Sequence, residues 1–75
     1  MTKKAIIQEI KSHWSTAQCV IEKTALGKGI IQVRCWHGDC ERIGQFMMRS
    51  FGNVIQTYFA CHEFKKGHLA IYFKR

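Results

Sequence analysis

Residues 53–75, NVIQTYFACHEFKKGHLAIYFKR, decide how the chain can fold. β-Branched and aromatic side chains dominate positions 54–64, which is typical of a strand. Lys65, Lys66 and Gly67 supply a turn, and the apolar residues at 69–73 return as a second strand. This stretch therefore predicts a β-hairpin.

The first half of the chain predicts a second hairpin. Residues 17–24 and 30–36 alternate between apolar and polar positions, and the glycine-bearing segment 25–29 separates them as a loop. On the second of these strands Ile31, Val33 and Cys35 share one face. Since strand side chains alternate, Gln32, Arg34 and Trp36 would share the other.

An amphipathic helix is predicted before each hairpin, because apolar residues recur there every three to four positions. In the first helix these are Ile6 or Ile7, Ile10 and Trp14, and in the second they are Ile43, Phe46 or Met47, and Phe51. We expect Thr2 to cap the first helix and Asp39 to cap the second. Gly52-Asn53 would end the second helix in a left-handed cap.

The resulting order, αββαββ, predicts an α+β fold. Two helices and four antiparallel strands pack most simply as a two-layer sandwich, with both helices on one face of the sheet. Moving the last strand to the front gives βαββαβ, so the arrangement would be a circularly permuted ferredoxin-like fold. We interpret residues 1–75 as a single small basic domain.

The composition combines a large positive charge with a globular apolar content. Twelve Lys and Arg against five Asp and Glu give a formal charge of +7, and 47% of the residues are hydrophobic. Such a charge attracts polyanions, although it also suits a merely solubilising surface. The sequence shows no signal peptide and no apolar run that could span a membrane. We therefore expect a cytoplasmic protein with reduced cysteines.

The sheet side away from the helices is the predicted binding surface. On the third strand we expect Ile55, Thr57 and Phe59 to face the helices and Tyr58 to face outward. Exposed rings stack on unpaired bases, while Lys, Arg and Gln bind phosphates and base edges. The predicted nucleic-acid-binding residues are Lys28, Gln32, Arg34, Trp36, Gln56, Tyr58, His62, Lys65, Lys66, His68, Tyr72 and Lys74.

Three functions remain open at this stage. The leading one is a nucleic-acid-binding protein, with single-stranded RNA or DNA slightly preferred. The second is a protein-interaction module, such as a small inhibitor, or a homodimer that covers the same sheet face. The third is a metal-independent ribonuclease using His37, His62 or His68 as general acid or base. No nucleophile or phosphate-loop motif supports catalysis, so we expect binding.

The cysteines do not form a standard metal motif. Cys35 and Cys40 are five positions apart rather than in a CxxC pair, and we predict neither metal nor cofactor. Cys19 and Cys35 fit better as small buried hydrophobic residues. A thiol at a helix N-terminus is often unusually reactive, so Cys40 is the cysteine whose reactivity we would test.

Overall fold

The computed structural model describes residues 3–23, 29–63 and 66–74, and of residues 62 and 63 it describes the backbone. The elements are α1 (Lys3–His13), β1 (Gln18–Lys23), β2 (Gly29–Trp36), α2 (Cys40–Phe51), β3 (Ile55–Glu63) and β4 (Lys66–Phe73). A 3-10 turn, His37–Asp39, joins β2 to α2. The predicted αββαββ order is thus confirmed. Thr2, the predicted first cap, lies outside the described residues.

The four strands form one antiparallel sheet in the order β1-β2-β4-β3. The two hairpins meet along the sheet centre, where Ile31 of β2 pairs with Ile71 of β4, and Val33 pairs with Leu69. This is the strand order of a ferredoxin-like sheet whose first strand has been moved to the end of the chain. The predicted fold class is confirmed, with both helices packed on the sheet.

The core lies between the helices and the sheet. α1 contributes Ile6 and Ile10, and α2 contributes Ile43, Met47 and Phe51. The sheet contributes five more apolar side chains, which are Ile31, Val33, Ile55, Leu69 and Ile71. Burying a side chain of this size stabilises the fold by about 1.5–3 kcal/mol. The apolar stripes predicted for the two helices are therefore the ones that cover the sheet.

Both ends of α2 differ from the prediction. Asp39 already has right-handed helical angles (φ −96°, ψ −15°) and makes no side-chain capping hydrogen bond. The reason is that the 3-10 turn runs directly into the helix. Gly52 has φ −60° and is not left-handed; the chain leaves α2 through a turn in which Val54 N donates to Phe51 O at 2.9 Å. Asp39 thus occupies the predicted N-cap position without the predicted capping hydrogen bond, and Gly52 lacks the predicted left-handed conformation; that of Asn53 stays a prediction.

A β-bulge reverses the predicted facing of β3. Ile55 pairs with Phe73, but Thr57 pairs with Tyr72, so β3 uses two positions where β4 uses one. Gln56 is the extra residue, and after it the inward and outward sets exchange. Tyr58 consequently faces the helices and Phe59 faces away. The prediction was right for Ile55 and wrong for Thr57, Tyr58 and Phe59.

Over the described ranges, the helices are too short to cross a bilayer. α1 has 11 residues and α2 has 12, and neither qualifies as a membrane-spanning segment.

Candidate nucleic-acid interface

The sheet side away from the helices is called the open face. Strand pairing and alternation assign to it Gln18, Val20 and Glu22 of β1, Ile30, Gln32, Arg34 and Trp36 of β2, Thr57, Phe59 and Cys61 of β3, and Lys66, His68, Ala70 and Tyr72 of β4. Directly opposite residues on neighbouring strands share a face, which brings Arg34 beside His68 and Trp36 beside Lys66. The two central strands thus gather aromatic, basic and amide side chains on one surface.

Among the described residues of the open face, three carry exposed aromatic rings. Phe59 is 62% exposed, Trp36 is 54% exposed and Tyr72 is 36% exposed. The rings of Phe59 and Tyr72 meet edge to face, with centroids 5.5 Å apart and an interplanar angle of 90°. This pairing is favourable for aromatic rings, and it restrains two large side chains without burying them. Both rings keep surface available for a ligand.

Trp36 is restrained in a different way, at the end of β2. A Cβ atom built on Gly38 would overlap the Trp36 ring, so this glycine makes room for the indole. The ring also lies 4.8 Å, centroid to centroid, from that of His37. The turn after β2 therefore helps to position an indole that still exposes about half of its surface.

A groove of about 760 Å³ crosses the open face beside Trp36. Its lining includes Gln18 of β1, Arg34 and Trp36 of β2, Cys61 of β3, and Lys66 and His68 of β4. A second depression of about 390 Å³ shares Gln18, Arg34 and His68 with it, and adds Val20, Glu22 and Gln32. Arg34 and His68 thus lie where the two depressions meet.

The charge along the groove is mainly positive. Arg34 and Lys66 are cationic and exposed, and His68 adds a third charge when protonated. Glu22 lies in the second depression and opposes them there. The end of the groove near Trp36 and Lys66 is therefore the end that suits an anion.

Gln32 offers an unpaired acceptor beside this charge. Its Oε1 atom is buried and has no hydrogen-bond partner among the described residues. A buried carbonyl oxygen without a partner costs free energy, but this one has almost no exposed surface, so a ligand would reach it only after the Gln32 side chain turned outward. Amino groups on nucleobase edges are hydrogen-bond donors for such an oxygen.

The structure brings six of the predicted residues together on the open face: Gln32, Arg34, Trp36, Lys66, His68 and Tyr72. Gln56 is exposed in the bulge, and Lys74 is exposed just after β4. Lys28 and Lys65 lie outside the described residues, as does the side chain of His62. Among the predicted residues whose side chains the structure describes, Tyr58 is the one that lies on the opposite side of the sheet.

Tyr58 packs against α2 rather than joining the open face. A Cβ on Gly44 would overlap its ring, and its hydroxyl donates a hydrogen bond to Glu41 Oε2 at 2.8 Å. That bond, with some desolvation, raises the Tyr58 pKa above its ordinary value of 10.0. Since the raised pKa favours the neutral phenol, this contribution to stability is complete below pH 10 and is lost as the pH rises through the raised value.

Phe59 is the ring that the sequence reasoning missed. The sequence predicted that Phe59 faces the helices because uninterrupted alternation along β3 was assumed, and the bulge at Gln56 breaks that alternation. A signal was present in α2, where Gly44 lies on the buried side and leaves a space that an aromatic ring can fill. Tyr58 fills it, and Phe59 is turned outward as a result.

The cysteines are all free, and two of them are close together. Cys35 Sγ and Cys40 Sγ are 3.2 Å apart. Cys40 is fully buried, so the sulfur whose reactivity we wished to test is hidden from solvent. Burial raises the pKa of Cys19, and the positive charge of Lys11 offsets part of that rise. Among the side chains that the structure describes, no three metal-binding groups converge.

Comparison with protein-family models, with curated proteins and with solved structures finds no match to this chain.

Proposed function

We propose that the protein binds single-stranded nucleic acid, RNA or DNA, on its open face. The observation that carries the proposal is the sharing of one surface by the exposed rings of Trp36, Phe59 and Tyr72 and the cations Arg34 and Lys66. Proteins that bind single-stranded nucleic acid combine aromatic rings, which stack on the bases, with positive charges, which bind the phosphates.

The positive charge would supply attraction and position the backbone. A formal charge of +7 on 75 residues draws polyanions from a distance. At short range Arg34 is suited to phosphate, because its planar guanidinium presents paired donors, while Lys66 acts as a point charge. Both line the groove beside Trp36, so a phosphate bound there would bring its base close to the indole.

The rings would bind the bases themselves. Stacking of a base on an aromatic side chain contributes about 1–3 kcal/mol by alanine substitution. Phe59 and Tyr72 touch each other, whereas Trp36 belongs to the far end of β2, near Lys66. The face thus offers two separate stacking positions for the bases of a single-stranded nucleic acid.

Single strands fit this surface better than duplexes. Bases in a duplex already stack on one another, so exposed rings on a sheet have no free base face to contact. The proposed setting is the reducing cytoplasm, which agrees with the four free thiols.

The test is fluorescence anisotropy of labelled single-stranded RNA, single-stranded DNA and duplex DNA at near-physiological salt. We expect one of the single strands to bind more tightly than the duplex. Phe59→Ala and Tyr72→Ala should each weaken that binding by about tenfold, since each removes part of a stacking platform. Tyr58→Phe should leave affinity unchanged, because Tyr58 faces the helices.

Arg42→Ala is the matched control for Arg34→Ala. Both arginines are exposed, but Arg42 lies on α2 and Arg34 lies on the open face. Each substitution removes one positive charge, so a general attraction would weaken equally in both. We expect Arg34→Ala to weaken binding several times more than Arg42→Ala. Equal effects, or unchanged affinity in Phe59→Ala and Tyr72→Ala, would overturn the proposal.

A protein partner is the second candidate, and the exposed apolar side chains of the open face favour it. Val20 and Phe59 are each 62% exposed. Large apolar side chains at the surface often mark contacts with another protein, including a second copy of the same chain. A stoichiometric protein captured after nuclease treatment, and lost in Phe59→Ala, would support this candidate. Sedimentation of the purified chain would identify a homodimer.

A further inference from the structure

The joint between β2 and α2 holds two thiols within reach of each other. Cys35 Sγ lies 3.2 Å from Cys40 Sγ, and one sulfhydryl donates a hydrogen bond to the other sulfur. Cys35 is the penultimate residue of β2, and Cys40 is the first residue of α2. The 3-10 turn His37–Asp39 folds the chain back so that the two side chains converge.

The surroundings hold these sulfurs in place. A Cβ on Gly67 would overlap Cys40 Sγ, so this sulfur rests against the β4 backbone where that strand pairs with Cys35. Cys40 is fully buried, which leaves it little freedom to move away. A disulfide requires a sulfur–sulfur distance of about 2.05 Å, so the pair needs to close by only about 1 Å.

We propose that Cys35 and Cys40 form a dithiol site that a small disulfide oxidant, such as oxidised glutathione, converts to an intramolecular disulfide. The Cys35 thiolate attacks one sulfur of the oxidant, forms a mixed disulfide and releases the first small thiol. The Cys40 thiolate then attacks Cys35 Sγ, forms the protein disulfide and releases the second small thiol. The protein loses two protons and two electrons, and the oxidant is reduced to two thiols.

The order of attack follows from access. Cys35 is only half-buried and contributes to the lining of the groove, whereas Cys40 has no exposed surface. A small oxidant can therefore reach Cys35 first, and Cys40 is the resolving thiol behind it. Cys61 lines the same groove and is exposed, so it competes for the oxidant, but its strand partner His68 offers no second thiol.

The surroundings of Cys35 also set the rate. Burial, and then the neighbouring Cys40 thiol through its hydrogen bond and charge, raise the pKa of Cys35 to about 12, with smaller contributions from Asp39 and Cys19. Because the thiolate is the attacking species, the disulfide forms slowly at neutral pH. Its rate should rise about tenfold per pH unit below 12, or about 100-fold between pH 7 and pH 9.

Formation of the Cys35–Cys40 disulfide would constrain the turn that carries Trp36. Residues 36–39 lie between the two cysteines, and the indole of Trp36 forms part of the groove wall. A disulfide would tie the two ends of this turn together, so oxidation and the positioning of Trp36 are linked through the backbone.

The experiment uses the native wild-type chain, exposed to oxidised glutathione at pH 7 and at pH 9. Trypsin cleaves after Arg34 and Arg42, so both cysteines fall in one peptide, residues 35–42. After alkylation of the remaining thiols, we expect this peptide to be two hydrogens lighter than its reduced form and to carry no alkyl group. Its yield should increase about 100-fold faster at pH 9.

Cys61→Ser and Cys35→Ser provide the matched controls. Cys61→Ser removes the exposed competing thiol and should form the 35–42 disulfide normally. Cys35→Ser should accumulate no such disulfide and should leave Cys40 unmodified in the folded protein, because that sulfur is buried. The proposal is overturned if, at pH 9 and after the reaction with oxidised glutathione has reached equilibrium, peptide 35–42 of the wild type carries alkylated thiols or glutathione adducts instead of the disulfide.

Discussion

Gly44 and Tyr58 show how one glycine sets the position of a neighbouring strand. Gly44 is buried on α2, and the ring of Tyr58 occupies the space that its missing side chain leaves. Tyr58 and Phe59 are adjacent on β3, so once the first faces α2 the second must face away. The exposed ring of the candidate interface therefore depends on a glycine on the other side of the sheet.

Gly44→Ala should destabilise the protein by about 1–2 kcal/mol. Overpacking against the Tyr58 ring costs about 1–3 kcal/mol, and the better helix propensity of alanine returns up to about 1 kcal/mol. Urea denaturation measures the change. In a Tyr58→Ala background the same substitution should be neutral or stabilising, since the ring is gone.

Ser50→Ala is the control for helix propensity, because Ser50 is exposed on the same helix. It should not destabilise the protein. If Gly44→Ala were as stable as Ser50→Ala with Tyr58 present, the ring would not occupy the space beside Gly44.

At the scale of elements, most of the fold could be predicted from periodicity alone. Spacing of apolar residues gave both helices, and alternation gave the inward residues Ile31 and Val33 of β2. The prediction from alternation failed on β3, because the extra residue Gln56 exchanges the sheet faces on which Tyr58 and Phe59 lie. Whether a bulge forms depends on how two strands pair along their whole length. This pairing produces no periodic pattern in the sequence of either strand alone, so the bulge could not be predicted from β3.

The candidate site was predictable to the extent that its strands are regular. The residues of β2 and β4 on the open face, Arg34 and Tyr72 among them, follow from strict alternation. The groove does not, because it depends on which strands become neighbours and on how the turn after β2 directs the Trp36 ring over Gly38. Those are tertiary arrangements rather than local patterns.

Deletion of Gln56 should preserve the facing of β3. Without the extra residue, Ile55 and Tyr58 still face the helices, and Thr57 and Phe59 still face away, in ordinary alternation. We expect a loss of at most about 2 kcal/mol in the free energy of unfolding, measured by urea denaturation.

Deletion of Ala60 is the matched comparison. It removes one residue from a regular part of β3, which must turn either Tyr58 or the far end of the strand to the wrong side. Its cost should exceed that of the Gln56 deletion by about 1.5–3 kcal/mol, the value of one large buried side chain. Equal costs would mean that the bulge does not set the facing.

At the scale of the whole molecule, a large positive net charge is carried by a small body. The radius of gyration is 11.4 Å, close to the value of about 11 Å expected for a globular chain of this length. A charge of +7 on such a body produces a strong field at low ionic strength. An affinity for nucleic acid measured at a single salt concentration would therefore combine two contributions, the long-range electrostatic attraction and the direct contacts of the open face.

A salt series should separate the two contributions. If Arg34, Lys66 and Lys74 each neutralise one phosphate, the logarithm of the association constant for a single strand should fall with log salt at a slope of about −2. Arg34→Ala should make the slope shallower by about 0.7. Phe59→Ala should lower affinity at every salt concentration with the slope unchanged, because stacking releases no counterions.

A change of slope in Phe59→Ala, or a slope that stays the same in Arg34→Ala, would contradict this division of roles. Anisotropy titrations from low to near-physiological salt measure both parameters on the same samples.

The strand order has a consequence for the kinetics of folding. Each hairpin, β1 with β2 and β3 with β4, pairs residues that are near in sequence, so loop closure is inexpensive and each can form early. The β2–β4 pairing instead joins opposite halves of the chain, through Ile31 with Ile71 and Val33 with Leu69. Non-local contacts of this kind slow the rate at which a domain folds. We therefore expect the docking of two preformed hairpins along this central seam to limit the rate of folding.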